Sequence, residues 1–177
     1  MSAVELVHTA HLSAEDRRAL RELLFEVFDD MTEHDHQHAL GGLHALVHDD
    51  GRLVGHGAVV ARRLLHGDRA LRCGYVEGVA VRATHRRQGL GRAVMTALDD
   101  VIDLAYEIGG LGATDEAAPL YASLGWRHWA GRAFALTPAG VVATPDDEGA
   151  IFVREVPGVP LDLTADLTAD WRDGDVW

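Results

Sequence analysis

The chain has 177 residues, enough for one domain with a sizeable core. A formal net charge of −12, with no lysine among the 16 basic residues, argues against a nucleic-acid partner, which needs a basic face, and suits a cationic ligand. No apolar run reaches membrane-spanning length, and Glu5, His8 and His11 interrupt any signal-peptide core, so a cytoplasmic protein with no membrane partner is expected.

Val4 to Val7 reads as a short first strand. Ser13 caps a helix, with Asp16 at the third position, and Leu20, Leu23, Leu24 and Val27 form its apolar face up to Phe28. Residues 29–42 read as a polar loop closed by Gly41-Gly42. Its alternating His34, His36 and His38 would need a strand to share one face, so no metal site is expected. Leu43 to His48, Leu53 to Leu65 and Ala70 to Val81 are strands of an antiparallel meander, turned at Asp50-Gly51 and His66-Gly67-Asp68. Cys73, the only cysteine, excludes an internal disulfide and reads as a buried thiol in the third of these strands.

From Gly89 the apolar positions Leu90, Val94, Leu98, Val101, Ala105 and Ile108 repeat at helical spacing, with Arg92, Asp99, Asp103 and Glu107 off the stripe. Gly109-Gly110 is read as the stop, and Leu111 to Ala113 as a brief strand. A short helix then runs through Leu120-Tyr121 to Leu124 and ends at Gly125-Trp126. Strands are expected around Trp129 to Leu136 and Ala150 to Val156, and the tail from Pro157 reads as acidic and irregular. Tryptophans 126, 129, 171 and 177 are expected to pack rather than to stack on sugars, Trp177 being the one candidate exception.

Arg86-x-x-Gly89-x-Gly91, between an apolar strand and the start of a long helix, is a phosphate cradle. Glycines let the backbone approach an anion, and the unpaired amides of the first helical turn point at it. Three segments in register, Gly74-Tyr-Val-Glu-Gly-Val-Ala-Val81, Arg86-x-x-Gly89-x-Gly91 and Leu120-Tyr121-x-x-x-Gly125-Trp126, resemble the GCN5-related N-acetyltransferases (GNAT). His44-Ala-Leu, Leu71-Arg-Cys-Gly-Tyr-Val-Glu-Gly-Val-Ala-Val81, Tyr121-Ala-Ser and Asp170-Trp-Arg-Asp-Gly-Asp-Val-Trp177 are similar to the aminoglycoside 2'-N-acetyltransferase branch. The resemblance implies an α+β fold of α/β/α type: a central mixed, mostly antiparallel sheet flanked by helices and splayed at the acetyl-CoA site. One domain, 1–177, is expected, its tail from about 157 completing the substrate pocket.

The resemblance also implies roles. Backbone groups of Val79, Ala80 and Val81 lie along pantetheine, and Arg86, Arg87, Gln88, Gly89, Leu90, Gly91 and Arg92 hold the pyrophosphate. The Val79 amide donates to the thioester oxygen. Glu77 is the candidate base, direct or through water, with the Gly78 carbonyl near the reacting amine. Tyr121 is the candidate acid for the leaving thiolate. A serine common in this branch is replaced by Gly112, which leaves only backbone for a cofactor contact there.

Aminoglycosides are polycations, and the resemblance maps their contacts onto Asp30, Asp35, Asp147, Gly174, Asp175 and the Trp177 carboxylate. From Thr144 to Trp177 nine acidic residues face two arginines, in keeping with that. The implied activity is acetyl transfer from acetyl-CoA to a 2'-amine, and a homodimer is expected because the superfamily often dimerises. The rival readings are an acetyltransferase for another amino sugar or small amine, and a non-catalytic binding protein on the same fold.

Overall fold

The computed structural model describes residues 3–177. They form two compact units, one comprising residues up to Val60 with Val76–Val101, the other Ala61–Tyr75 with Ile102–Trp177.

In the first unit, β1 (Val4–His8) pairs antiparallel with β2 (Leu43–Asp49), and β2 with the start of β3 (Arg52–His66). Asp50 and Gly51, at φ 48° and 77°, make the tight turn that the Asp-Gly pair predicts. The end of β4 (Arg69–Val81) belongs here too. Helix α1 (Ala14–Val27) starts as expected: the Ser13 side chain accepts from the Asp16 amide at 3.0 Å. Its Leu20, Leu23 and Leu24 are buried in a cluster with Leu46, Leu53, Ala58 and Ala80.

The segment read as a polar loop contains a short helix, α2 (Glu33–His38). A capping box that the sequence reading missed explains it. Thr32 accepts from the Asp35 amide at 3.2 Å, and Asp35 accepts from the Thr32 amide at 2.9 Å. On a helix the three histidines cannot share one face, and among the described residues no cluster is arranged to hold a metal.

Helix α3 (Leu90–Ala105) ends earlier than the periodicity suggests. Its buried face includes Met95 and Ile102, outside the expected stripe, and Asp99, between them on that face, is buried as well.

The second unit has the strand order β6-β9-β5-β4-β3-β10-β7-β8, in which β4–β5 and β10–β7 are parallel and the β5–β9, β6–β9, β7–β8 and β10–β3 pairs antiparallel. Ile108 to Gly112 form β5, so Gly109-Gly110 is strand interior and not a helix stop. Close packing is the reason. A Cβ at Gly109 would lie 2.9 Å from the Trp126 ring, and one at Gly110 2.9 Å from the Tyr75 ring.

Of the expected strand at 129–136 only β7 (Ala133–Thr137) forms, with a two-residue β6 (Arg127–His128) before that range and an unforeseen β8 (Gly140–Ala143) after it. Strand β9 (Ile151–Glu155) lies where expected. The tail is not wholly irregular: Leu167–Asp170 form β10, seated between β3 and β7 with Leu167 and Ala169 buried. Cys73 is buried and forms no disulfide. Among the described residues no helix is long and apolar enough to cross a membrane.

Candidate active site

Strand β4 is buried from Cys73 to Val76, becomes half-buried at Glu77, Gly78 and Val79, and is buried again at Ala80. Gly78 causes the change, with φ at +58°, a left-handed conformation that breaks the alternation of the strand. A Cβ there would also sit 3.2 Å from Leu24. The pairing of β4 with β5 stops at Tyr75↔Gly110, so Glu77 to Val81 continue beyond its last rung.

The strand leaves through Arg82, a residue the sequence reading did not single out. Its buried guanidinium donates to the Leu53 carbonyl at 2.8 Å and pairs with Glu26. It thereby fixes the entrance to the loop before α3. In that loop Arg87 (φ 64°) and Gly89 (φ 82°) both adopt left-handed conformations, and α3 begins at Leu90. Non-glycine residues rarely take that conformation. The loop is exposed, and the first turn of α3 has the unpaired amides that suit an anion. Arg86, Arg87, Gln88 and Arg92 are exposed around it.

The same unit holds Asp30 and Asp35. Asp30 is exposed in the turn after α1. Asp35 is already employed: its Oδ2 accepts from both the amide and the hydroxyl of Thr32, at 2.9 and 2.7 Å.

Also in this unit is a line of hydrogen-bonded polar groups absent from the sequence reading. The Thr9 hydroxyl lies 2.7 Å from His44 Nε2, His44 Nδ1 lies 2.9 Å from His56 Nε2, and His56 Nδ1 lies 2.7 Å from the Gly78 carbonyl oxygen. Both rings are fully buried. Burial pushes the imidazoles down, His44 to about 4 and His56 to about 3, so both are neutral at pH 7.

In the second unit Tyr121 lies in α4 (Ala118–Ser123), its ring 6.4 Å from that of Trp126 and 6.5 Å from that of Phe152. Burial pushes its phenol up to about 12, which keeps the O–H intact at neutral pH. Gly112 ends β5 with the Trp177 carboxyl carbon 3.3 Å from where its Cβ would stand, so a side chain here would crowd the chain terminus.

Asp147, Asp175 and Trp177 are brought together. Burial first, and then repulsion from Asp175, raises the Asp147 carboxyl above its usual range. The Trp177 indole N–H donates to Thr144 Oγ1 at 2.9 Å, and its amide to Asp175 Oδ1 at 3.3 Å. Trp177 is buried, so its ring packs. Gly174, at φ 80°, turns the chain just before.

Arg62 holds this terminus, and it too escaped the sequence reading. Its buried guanidinium donates to Asp170 Oδ1 at 2.7 Å, to the Asp170 carbonyl at 2.8 Å and to the Val176 carbonyl at 2.6 Å. It also stacks 4.6 Å from the Tyr75 ring centre. The only sequence signals were an arginine inside a strand and the Asp170-Trp-Arg-Asp ending.

A family profile for the acetyltransferase (GNAT) domain matches residues 8–129. An aminoglycoside 2'-N-acetyltransferase of Mycolicibacterium fortuitum is 49% identical over 181 residues, covering 100% of this chain and 93% of that protein. Among solved structures, the GNAT-family YhbS of Escherichia coli in complex with CoA superposes with a TM-score of 0.62 at 18% identity, over 96% of this chain and 91% of that one. The ribosomal-protein-S18-alanine N-acetyltransferase of Escherichia coli gives 0.58 at 21% identity, over 86% and 94%. The mixed, helix-flanked sheet is the fold these structures share. The chain thus belongs to the acetyltransferase (GNAT) family and is an acyltransferase of that fold.

Proposed function

We propose that the protein is an aminoglycoside 2'-N-acetyltransferase. It moves the acetyl group of acetyl-CoA to the 2'-amine by direct attack in a ternary complex and so confers resistance. The full-length identity of 49% to a protein of that name carries the reading. The whole chain is read as one acetyltransferase domain whose acidic tail supplies part of the drug's counter-charge.

Acetyl-CoA supplies the activated acetyl group. Arg86 to Arg92 hold its pyrophosphate, Val79 to Val81 its pantetheine, and the Gly112 backbone a further contact. As the amine forms its bond to the carbonyl carbon and the C–S bond breaks, the Val79 N–H donates to the thioester oxygen, where charge develops. The amine proton leaves toward Glu77, directly or through water, while the Gly78 carbonyl accepts from the nitrogen. Tyr121 gives its phenol hydrogen to the departing sulfur and recovers one from solvent.

Asp30, Asp35, Asp147, Asp175 and the Trp177 carboxylate, with the Gly174 backbone, bind the drug's ammonium and hydroxyl groups. The raised Asp147 supports this, since a bound ammonium would relieve its repulsion with Asp175. The acidic surface suits a polycation and neither a nucleic acid nor a membrane; a homodimer in the cytoplasm completes the reading. Asp147→Asn is therefore expected to raise KM for the drug about tenfold, the worth of one charge-assisted hydrogen bond, with KM for acetyl-CoA unchanged. Thiol-release kinetics measure both, and an unchanged drug KM would remove Asp147 from the binding site.

A further inference from the structure

The hydrogen bonds from Thr9 to Gly78 have only one possible direction. A carbonyl oxygen can only accept, so His56 Nδ1 must carry the hydrogen of the 2.7 Å contact with Gly78. The neutral ring then offers Nε2 as a lone pair, and His44 Nδ1 must donate to it across 2.9 Å. His44 Nε2 is in turn an acceptor, and the Thr9 hydroxyl donates to it across 2.7 Å. The Gly41 amide closes the line by donating to Thr9 Oγ1 at 2.8 Å, while the Gly42 carbonyl, at 3.1 Å, is the weaker alternative acceptor for the same hydroxyl. Every donor points toward Gly78. In a line that runs through two buried rings each bond polarises the next.

The receiving carbonyl belongs to the peptide unit Gly78–Val79. Withdrawing electron density at the oxygen of an amide makes the N–H of that same amide a better donor. The other end of this peptide is the Val79 N–H.

We propose that Thr9, His44 and His56 are positioning residues for acetyl transfer, a buried relay that orients the Gly78–Val79 peptide and strengthens the Val79 N–H toward the thioester oxygen. The proposal rests on the reading of Val79 as that donor. Two imidazoles removed from water are costly to a fold, and an apolar pair would fill the same space more cheaply. A hydrogen-bonded line ending on one left-handed glycine uses what an apolar pair lacks.

The test combines ring-nitrogen NMR of the wild-type protein with kinetics of His56→Leu and His56→Asn. Asparagine keeps an amide donor where Nδ1 stood; leucine does not. Both rings are expected as the Nδ1–H tautomer. His56→Leu is expected to lower kcat about tenfold, less than outright loss of an oxyanion donor, with KM for acetyl-CoA unchanged, and His56→Asn to regain most of kcat. An Nε2–H tautomer on either ring would overturn the proposal, whether or not the variants fold. So would equal kcat losses in the leucine and asparagine variants, the mark of a merely structural role, or an unchanged kcat in His56→Leu. Thiol release by the wild type with an aminoglycoside is the separate control: its failure would overturn the functional reading, while the tautomers still decide the relay.

Discussion

Tyr121→Phe is expected to lower kcat about 100-fold, at the modest end of what a positioned proton donor contributes, with KM values changed no more than about threefold. The substitution removes one oxygen and nothing else of consequence. The ring packs near Trp126 and Phe152, and phenylalanine keeps those contacts. Thermal stability should therefore hold, which separates a chemical effect from a folding one. The direction follows from burial, which raises the phenol to about 12 and leaves the donor form as the only one present between pH 6 and 9. Full turnover by the phenylalanine variant over that range would remove Tyr121 from the chemistry.

Arg62→Met should have the largest effect on the second unit. The native side chain makes three hydrogen bonds to residues 170 and 176 and covers the Tyr75 ring. Methionine fills the volume but leaves the Val176 carbonyl and Asp170 without that donor. Because Asp170 is part-exposed, with 39% of its side chain accessible, the cost is placed at about 2–3 kcal/mol and not at the full value for a buried pair. For a chain of this size that lowers Tm by roughly 4–12 °C. On the proposed reading KM for the drug should rise as well, because the segment carrying Asp175 loses its support. Arg62→Lys should rescue little, since one ammonium cannot fork to three acceptors. Calorimetry and drug titration read the two effects, and an unchanged Tm with unchanged KM would show that the terminus is held by other contacts.

What the sequence disclosed depended on how local the cause was. Ser13 with Asp16, and Asp50-Gly51, act within four residues, and both are found as expected. The turn at Gly89 into α3 was legible for the same reason, although the left-handed Arg87 was not. Gly109 and Gly110 misled because their purpose is tertiary: they make room for Trp126 and Tyr75, which lie far away in sequence. Strand β10 was hidden because Leu167 and Ala169 are a brief apolar pair in an acidic stretch, given meaning only by β3 and β7 on either side. The histidine line could not be read at all. Its members come from positions 9, 44, 56 and 78, and only the pairing of β2 with β3 brings the two rings together.

The central claim is transfer to an amine at one position of the sugar. Thiol release from acetyl-CoA should be followed with two aminoglycosides, one bearing a 2'-amine and the other a 2'-hydroxyl. Rapid release with the amine, a product carrying one acetyl group on that nitrogen and little or no release with the hydroxyl compound are expected. Equal release with both, or release with neither, would contradict the account.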